Sequence, residues 1–382
     1  MGSMQMSGYF DNAATTVPSQ AALQTYREVA LSFPANPSSS HSEGRKAARL
    51  LQDLRQQTAA LLKVDAASIT FTAGATEANG IILSSLLWKQ RADHVLFSGI
   101  EHSSILQWNR LLTQAGWDVS TIDAPGALIE ASGVEGALNE RTRLAAIMLV
   151  NNTMGTIQPI KEIVQAVRRF ERRSETQPIH IHCDATQALG KIDFDLQALG
   201  VDSASFSAHK FHGPRGVGIL YNTRANIEAL SRGGGQERGL RGGTENLPAI
   251  AAMVTALTEA MEGLETHRAH VSSLNDLLRE RLKELPILTP REQASPYILT
   301  ISMPPLPSQV AERMLSDAGF CVSSGSACSH NARQKSAAAH NAMRLEPRLA
   351  ESSIRISLCP DTTIESAEAL AEAILAIYRN HR

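Results

Sequence analysis

Ser207-Ala208-His209-Lys210 ends in a lysine that follows Asp184, in the stretch His182-Cys183-Asp184-Ala185-Thr186-Gln187, by 26 residues (210 minus 184). Both stretches continue short apolar runs that are typical of buried strands. In a parallel sheet, side chains at the carboxyl ends of the strands meet at one edge, where ligands bind. A lysine there can form a Schiff base with an aldehyde cofactor, and an aspartate can keep a pyridine nitrogen protonated. Lys210 and Asp184 therefore predict a pyridoxal phosphate site.

Apolar runs alternate with helical periodicity through most of the chain, which predicts a mainly parallel sheet covered by helices. After Gly233-Gly234-Gly235 the pattern changes to a long helix near 248–285, fewer strands and a terminal helix. The expected fold class is α/β, with a large domain over 15–255 and a smaller α/β domain over 256–382, joined by the segment 1–14. A chain of 382 residues is long enough for two such domains.

The composition argues against several classes of function. The net charge of −2 gives no electrostatic reason to bind nucleic acid, and no apolar run approaches the roughly 18 residues of a membrane span. Four cysteines without a CxxC pair, in a chain without a recognisable signal peptide, favour a reducing cytoplasm. His180 and His182 share one face of a strand, but no third ligand is evident nearby, so no metal site is predicted.

Two glycine-containing segments could hold a phosphate. In Thr72-Ala73-Gly74-Ala75-Thr76-Glu77 a strand runs into a helix, whose free N–H groups and positive dipole end favour an anion. Thr76 could instead be an ordinary N-cap. The stretch 233–246 is rich in glycine and lacks the Lys-Ser/Thr ending of a nucleotide P-loop. It permits close approach to a phosphate or a partner subunit, although a flexible linker has the same composition.

Single side chains outside these segments also suggest chemistry. His102 follows a strand, where it could stack on a pyridine ring and shuttle protons, although a lone histidine is more often structural. Arg355 interrupts an apolar strand, which suggests a carboxylate clamp or, alternatively, an internal ion pair. Cys328 lies among small residues in a segment that we expect to be mobile. We expect the thiol of Cys328 to be nucleophilic. Cys183 and Cys321 lie in apolar strands and should be inert core residues.

The combined motifs resemble the cysteine desulfurases of the class V aminotransferase family, in particular the NifS/IscS-like group, which has the pyridoxal phosphate fold type I. The resemblance spans nearly the whole chain and adds to the segments above Asp11-Asn12-Ala13-Ala14-Thr15-Thr16, Asn36-Pro37-Ser38-Ser39, Glu101-His102-Ser103, Asn151-Asn152, Arg241 to Asn246, and Ser323-Ser324-Gly325-Ser326-Ala327-Cys328. Thr153-Met154, Gly243 and Cys359 depart from the family pattern, but none of them removes a catalytic group.

The resemblance implies a role for each matching residue. The catalytic residues would be Lys210, which holds the cofactor, His102, which stacks on its ring, and Cys328, which accepts sulfur. Asp184 would contact the pyridine nitrogen of the cofactor and Gln187 its phenolic oxygen. Ala75 would also contact the cofactor. The phosphate would be bound by Thr76, Ser207, His209 and, from a second subunit, Thr244. The substrate would be bound by Asn12, Asn152 and Arg355.

The reaction implied by the resemblance removes sulfur from L-cysteine, releases L-alanine and leaves a persulfide on Cys328 for a sulfur-acceptor protein. The enzyme would be a homodimer, and its role would be iron–sulfur cluster biogenesis, although the acceptor itself stays open. Two alternatives remain. One is a selenocysteine lyase or other pyridoxal-phosphate-dependent C–S lyase, which needs no thiol nucleophile. The other is a weakly active homologue that serves as a partner in sulfur transfer.

Overall fold

The computed structural model describes residues 8–224, 227–231, 233–324 and 340–381. Seven strands form one sheet in the first part of the chain: β1 (Ile69–Thr72), β2 (His94–Ser98), β3 (Asp118–Ile122), β4 (Thr142–Ala146), β5 (His180–Asp184), β6 (Ser203–Ser207) and β7 (Gly218–Asn222). Their order is β1-β7-β6-β5-β4-β2-β3. Only β7 runs antiparallel to its neighbours, β1 and β6. The predicted mainly parallel sheet is therefore confirmed.

Helices cover this sheet, and β2 and β6 are buried at every position, as expected when both faces of a sheet are covered. The helices are α1 (Gln20–Ser32), α2 (Ser42–Leu62), α3 (Ala75–Ser84), α4 (Ser103–Leu106), α5 (Trp108–Gln114), α6 (Ala131–Ala137), α7 (Ile160–Ser174), α8 (Leu196–Leu199) and α9 (Leu247–Glu262). Short 3₁₀ turns lie at Ala66–Ser68, Ser85–Trp88, Pro125–Ala127, Ala208–Lys210 and Gln236–Gly239.

The edge strand β3 was not predicted from the sequence. Its residues, Asp118-Val119-Ser120-Thr121-Ile122, are exposed or half-buried at every position. An edge strand pairs on one side only and tolerates polar residues. The apolar run that marks the central strands is therefore missing from β3.

A second, antiparallel sheet follows in the order β8-β10-β9, with β8 at Ile298–Ser302, β9 at Ser323–Ser324 and β10 at Ser353–Ser357. It packs with α10 (Leu264–Arg281), α11 (Ser308–Asp317) and α13 (Ile364–Asn380) around a separate buried core, and α12 (Pro347–Glu351) precedes β10. The predicted α/β class thus holds for both parts of the chain.

The long helix predicted near 248–285 is in fact two helices, which meet at Gly263 with a bend of 70°. Side chains of α9 belong to the core of the large sheet, whereas Val271, Leu274 and Leu278 of α10 belong to the second core. We propose that the domains divide at Gly263, where the buried contacts change from one core to the other, rather than at residue 255. No single described helix has the length and apolar character of a membrane span. Among the described helices, only α9 and α10 taken together have that length and composition.

The N-terminal segment connects the two parts. Phe10 lies in the second core, and its backbone carbonyl accepts a hydrogen bond from Ser357 N–H at 2.8 Å. A few residues later, Thr16 N–H donates to the carbonyl of His209, also at 2.8 Å. Residues 10–16 therefore run from the small sheet to the end of β6, next to Lys210.

The environment of Cys321 differs from the prediction. Cys183 is buried as expected, but Cys321 is exposed, while the next residue, Val322, is buried. Alternate residues of an extended chain face opposite sides, and it is the valine that points to the core here.

Candidate active site

The carboxyl ends of β1, β2, β5 and β6 lie at one edge of the large sheet, because these strands share one direction. Asp184 ends β5, and Lys210 closes the 3₁₀ turn that follows β6. His102 follows β2 and is close enough to Asp184 and Lys210 for both charges to influence the pKa of its imidazole. The tertiary structure therefore brings these three residues to one place.

Lys210 is held by the N-terminal segment. Its Nζ donates to the carbonyl oxygens of Ala13 and Ala14, both at 2.7 Å. Burial, followed by the nearby charge of Arg355, lowers the pKa of Lys210 to about 8. About a tenth of the amine is therefore neutral at pH 7, and only the neutral amine can attack an aldehyde or accept a proton.

Asp184 is buried, and both of its oxygens accept a hydrogen bond. Oδ1 accepts from the N–H of Thr186 and Oδ2 from Nδ2 of Asn79, each at 3.0 Å. Asn79 is fully buried, and its amide also donates to Ser104 Oγ at 2.8 Å. Sequence reasoning missed Asn79, although a polar residue in the apolar helix α3 was a signal that could have found it.

These bonds fix the proton positions behind Asp184. Because Nδ2 of Asn79 donates to a carboxylate, its Oδ1 must accept, and it lies 2.8 Å from Nε2 of His182. His182 therefore carries its proton on Nε2 and accepts at Nδ1 from Ser203 Oγ, at 2.7 Å. Burial lowers the pKa of His182 to about 4, which keeps it neutral. His182 thus supports the aspartate through Asn79.

His102 is the N-cap of α4. Its Nδ1 accepts from the backbone N–H of Ser104 at 3.2 Å and lies 2.9 Å from Ser104 Oγ. A neutral imidazole that accepts at Nδ1 carries its proton on Nε2. His102 is exposed, but the surrounding protein partly desolvates its ring, and this desolvation lowers the pKa of His102. The ring is therefore neutral at pH 7 and offers an N–H at its free end.

Glu101, next to His102, is a second residue whose importance the sequence did not reveal. Its Oε1 accepts from Ser98 Oγ and from the N–H of Met148, the latter at 2.6 Å. Its Oε2 is buried with no partner among the described residues. Burial, and secondarily the charge of Asp184, raises the pKa of Glu101 to about 8. The buried carboxyl group is therefore mostly protonated at neutral pH.

The turn after β1 presents an uncapped helix end. The N-cap of α3 is Gly74, with φ of 147° and no side-chain hydrogen bond, so Thr76 is not the N-cap and lies in the first helical turn. Gly218 on β7 permits this geometry, since a methyl group there would lie only 2.6 Å from Cα of Gly74. Ser207 is close by, because a Cβ at Gly74 would be 3.3 Å from its Oγ. Ala75, Thr76 and Ser207 thus border one small site.

His209 lies beside the same site. Its Nδ1 is 3.1 Å from Oγ1 of Thr15. Burial, and then the charges of Lys210 and Arg215, lower the pKa of His209 to about 4, so the ring is neutral and can bond through one nitrogen while the other stays available.

Arg355 is engaged in an internal ion pair. It donates to Asp11 Oδ1 at 2.7 Å, to Ser323 Oγ at 2.9 Å and to the backbone carbonyl of Asn152 at 2.9 Å. Its Nε is buried without a partner among the described residues. The alternative of an ion pair is therefore realised, and two of the five guanidinium N–H donors, one on Nη1 and the one on Nε, have no partner among the described residues.

The other predicted substrate and cofactor residues lie around this centre. Asn12 is buried, and its Nδ2 donates to the carbonyl of Ser357 at 2.9 Å. The amide of Asn152 is half-buried and has no hydrogen bond within the described ranges. Gln187 is buried and donates from Nε2 to the carbonyl of Ala13 at 2.8 Å. Cys328 lies outside the described residues.

Thr244 is exposed, and its Oγ1 accepts from Nδ2 of Asn36 at 3.3 Å. Within the part of the chain that the structure describes, no hydrogen bond joins Thr244 to Thr76, Ser207 or His209. A role for Thr244 at a phosphate, supplied by a second subunit, stays a prediction.

These residues fit pyridoxal phosphate. The uncapped N-terminus of α3 offers free N–H groups and a positive dipole end to a phosphate. Asp184, fixed by two donors, suits a protonated pyridine nitrogen, and Lys210 is an amine with a lowered pKa. The groups at the common edge of the sheet therefore match the phosphate, the pyridine nitrogen and the aldehyde of this cofactor.

Comparison with known proteins places the chain in a family. The family model described as Aminotransferase class-V matches residues 8–370. The NifS/IcsS protein homolog of Lactobacillus delbrueckii subsp. bulgaricus is 37% identical over 97% of this chain and 97% of that protein. Cysteine desulfurase IscS of Pseudomonas fluorescens is 34% identical over 97% and 92%, respectively.

A solved structure described as a NifS-like protein has a TM-score of 0.90 and 34% identity, and the match covers 97% of this chain and 99% of the other. This likeness confirms the architecture of fold type I. The chain therefore belongs to the class-V aminotransferase family, whose cofactor is pyridoxal phosphate.

Proposed function

We propose that this protein is a cysteine desulfurase, which converts L-cysteine to L-alanine with the help of pyridoxal phosphate. The observation that carries the proposal is the meeting of Lys210, Asp184 and His102 at one edge of the sheet. The choice of substrate is supported by relatives named cysteine desulfurase, one of which is similar over 97% of the chain.

The geometry of the site supports a role for each cofactor residue. Lys210 would form the covalent link, while Asp184 would hold the pyridine nitrogen and Gln187 the phenolic oxygen. When bound, the protonated pyridine ring supplies an electron sink for a carbanion on the substrate. The phosphate would be surrounded by Ala75, Thr76, Ser207 and His209, with Thr244 added from a partner subunit.

The substrate is oriented at the opposite end of the site. Arg355, with Asn152 and Asn12 beside it, would bind the carboxylate of L-cysteine by exchanging Asp11 for the ligand. Lys210, with a pKa of about 8, would accept the Cα proton once it is free. His102, which carries its proton on Nε2, would transfer protons to or from the reacting thiols.

Cys328 would take the sulfur in a balanced transfer. The S–S bond forms as the substrate Cβ–S bond breaks, so two thiol-level sulfurs become a persulfide and the substrate Cβ is reduced to the methyl group of alanine. The Cys328 thiol loses one proton and the new methyl group gains one, so the protons balance. Ser323, five residues before Cys328 in the sequence, accepts a hydrogen bond from Arg355, and this supports an approach of Cys328 to the substrate from that side.

The test compares two cysteine variants. Cys328→Ala lacks the nucleophile but keeps Lys210, Asp184 and Arg355, so it should bind cofactor and L-cysteine while alanine release falls on the order of 10³-fold or more. Cys359→Ala is the control and should keep most activity. Alanine release and mass spectrometry of the persulfide are measured. Near-normal alanine release from Cys328→Ala would instead indicate direct elimination, as in a selenocysteine lyase.

We also propose that the enzyme is a homodimer in a reducing cytoplasm, and that the persulfide sulfur passes to an acceptor protein, with iron–sulfur cluster biogenesis as its destination. The three described cysteines are all free thiols, which supports a reducing compartment.

A further inference from the structure

Lys191 is a buried amine that the proposed reaction does not use. Only 5% of its surface is exposed, and its Nζ donates to Oε1 of Gln187 at 2.9 Å. The same Nζ lies 5.9 Å from the ring centre of Tyr297. None of the described carboxylates forms an ion pair with it. Burying a cation without a carboxylate partner costs free energy, so the retention of Lys191 needs a reason.

The hydrogen bond to Lys191 fixes the orientation of the Gln187 amide. Because Nζ of Lys191 donates in this bond, Oε1 must face Lys191 and Nε2 must face away from it. Nε2 donates to the carbonyl of Ala13 at 2.8 Å, and the same carbonyl accepts from Nζ of Lys210 at 2.7 Å. Lys191 is thereby connected to Lys210. The second hydrogen of Nε2 has no acceptor among the described residues.

Several charges surround the two lysines. Burial lowers the pKa of Lys191 to about 7, Lys210 and Arg355 lower it as well, and Cys359 raises it. Lys210 experiences the lowering effect of Arg355 and the raising effects of Asp184 and Asp11. Lys191 is therefore partly charged at neutral pH and adds positive potential behind Gln187.

We propose that Lys191 is a positioning residue, which holds the Gln187 amide with its free N–H directed to the phenolic oxygen of the cofactor. This inference rests on the proposed cofactor role of Gln187. A donor to the phenolic oxygen competes with the nitrogen of Lys210 for that oxygen. If the hydrogen bond from Gln187 to the phenolic oxygen is weakened, the pKa of the Lys210 nitrogen in the cofactor-bound protein should therefore rise.

The test is the pH titration of the absorbance of bound cofactor in Lys191→Met. Removal of the orienting bond and of the positive charge both raise the titration midpoint, by about one pH unit. Cofactor affinity, measured by equilibrium dialysis of the apoprotein, should fall roughly tenfold, the equivalent of one hydrogen bond. Lys161→Met, at an exposed position of α7, controls for the loss of one charge.

A double-mutant cycle tests the route of the effect. Gln187→Leu alone should reproduce both changes, and Lys191→Met should add little in that background, because the two residues act as one unit. The thermal midpoint of the Lys191→Met apoprotein should be unchanged or raised. A lowered thermal midpoint with an unchanged titration would overturn the proposal in favour of a structural lysine. If Gln187→Leu changes neither the titration nor the affinity, the cofactor role of Gln187 fails and this inference with it, whereas the desulfurase function is judged by Cys328→Ala.

Discussion

Glu101 shows how one buried residue sets a pH dependence. Its carboxyl group is enclosed beside Asp184, and burial raises its pKa from 4.5 to about 8. A carboxyl group whose pKa is raised by folding stabilises the folded state fully below its unfolded pKa. That contribution is lost as the pH rises through the folded pKa, since the unfolded chain then ionises more easily.

Glu101→Gln should therefore stabilise the protein at pH 8 but not at pH 5. Glutamine keeps the acceptor for Ser98 and Met148 and cannot ionise, and each unit of pKa shift corresponds to about 1.4 kcal/mol. Urea denaturation of the two proteins at both pH values measures the difference, with the exposed Glu265→Gln as control. An equal stability difference at pH 5 and pH 8 would show that Glu101 does not titrate in this range.

At the scale of elements, the glycine-rich loop is anchored to the edge strand β1. Glu237 and Arg238 have φ of 47° and 57°, a region that costs non-glycine residues of order 1 kcal/mol or more each. The anchor is Glu237, whose carboxylate accepts two hydrogen bonds of 2.7 Å from Arg55 and one of 2.9 Å from the N–H of Phe71. Because β1 leads into Gly74, the same contact positions the loop that carries Thr244 relative to the turn between β1 and α3.

Arg55→Met should destabilise the protein by about 3–5 kcal/mol, because it leaves the Glu237 carboxylate buried without its partner. Arg55→Met combined with Glu237→Leu should recover part of the loss. Arg281→Met is the matched control, since its pair with Glu368 is exposed and such pairs contribute about 1 kcal/mol or less. Urea denaturation at fixed protein concentration gives the values. A loss from Arg55→Met no larger than that of Arg281→Met would rule out the anchor.

At the scale of the whole molecule, one surface is suited to a second copy of the chain. The outer face of α1 exposes Leu23, Tyr26 and Leu31, the last at 72%. The segment after α1 contacts Thr244 through Asn36, so the exposed apolar face and the exposed loop adjoin. A second copy that covers α1 would also lie next to the loop that carries Thr244, as the predicted role of Thr244 requires.

Light scattering should therefore find a dimer at micromolar concentration. Leu31→Glu should shift the equilibrium toward monomer, since it places a charge in the covered apolar face. Leu111→Glu, at a leucine of α5 that is 43% exposed and lies near the opposite edge of the sheet, should leave the dimer intact. A fully active monomer of the unmodified protein at this concentration would refute the homodimer and the role of Thr244.

The sequence by itself determined the central strands and the residues at their ends. Asp184 and Lys210 were predicted to follow buried strands, and they lie at the end of β5 and in the turn after β6. These features are local, because a buried strand is an apolar run of a few residues and the functional side chain follows it directly along the chain. The α/β class follows from the same local alternation.

The tertiary structure alone decided the contacts between distant segments. Arg55 and Glu237 are separated by 182 residues, and Arg355 and Asp11 by 344, so no spacing rule could pair them. Asn79 gains its role only because α3 packs beside β5, and Gly263 bends a helical pattern that is continuous in the sequence. Local propensity is encoded in short stretches, whereas the partner of each buried polar group depends on how the whole chain packs, since a buried polar group must find its hydrogen bonds wherever the fold provides them.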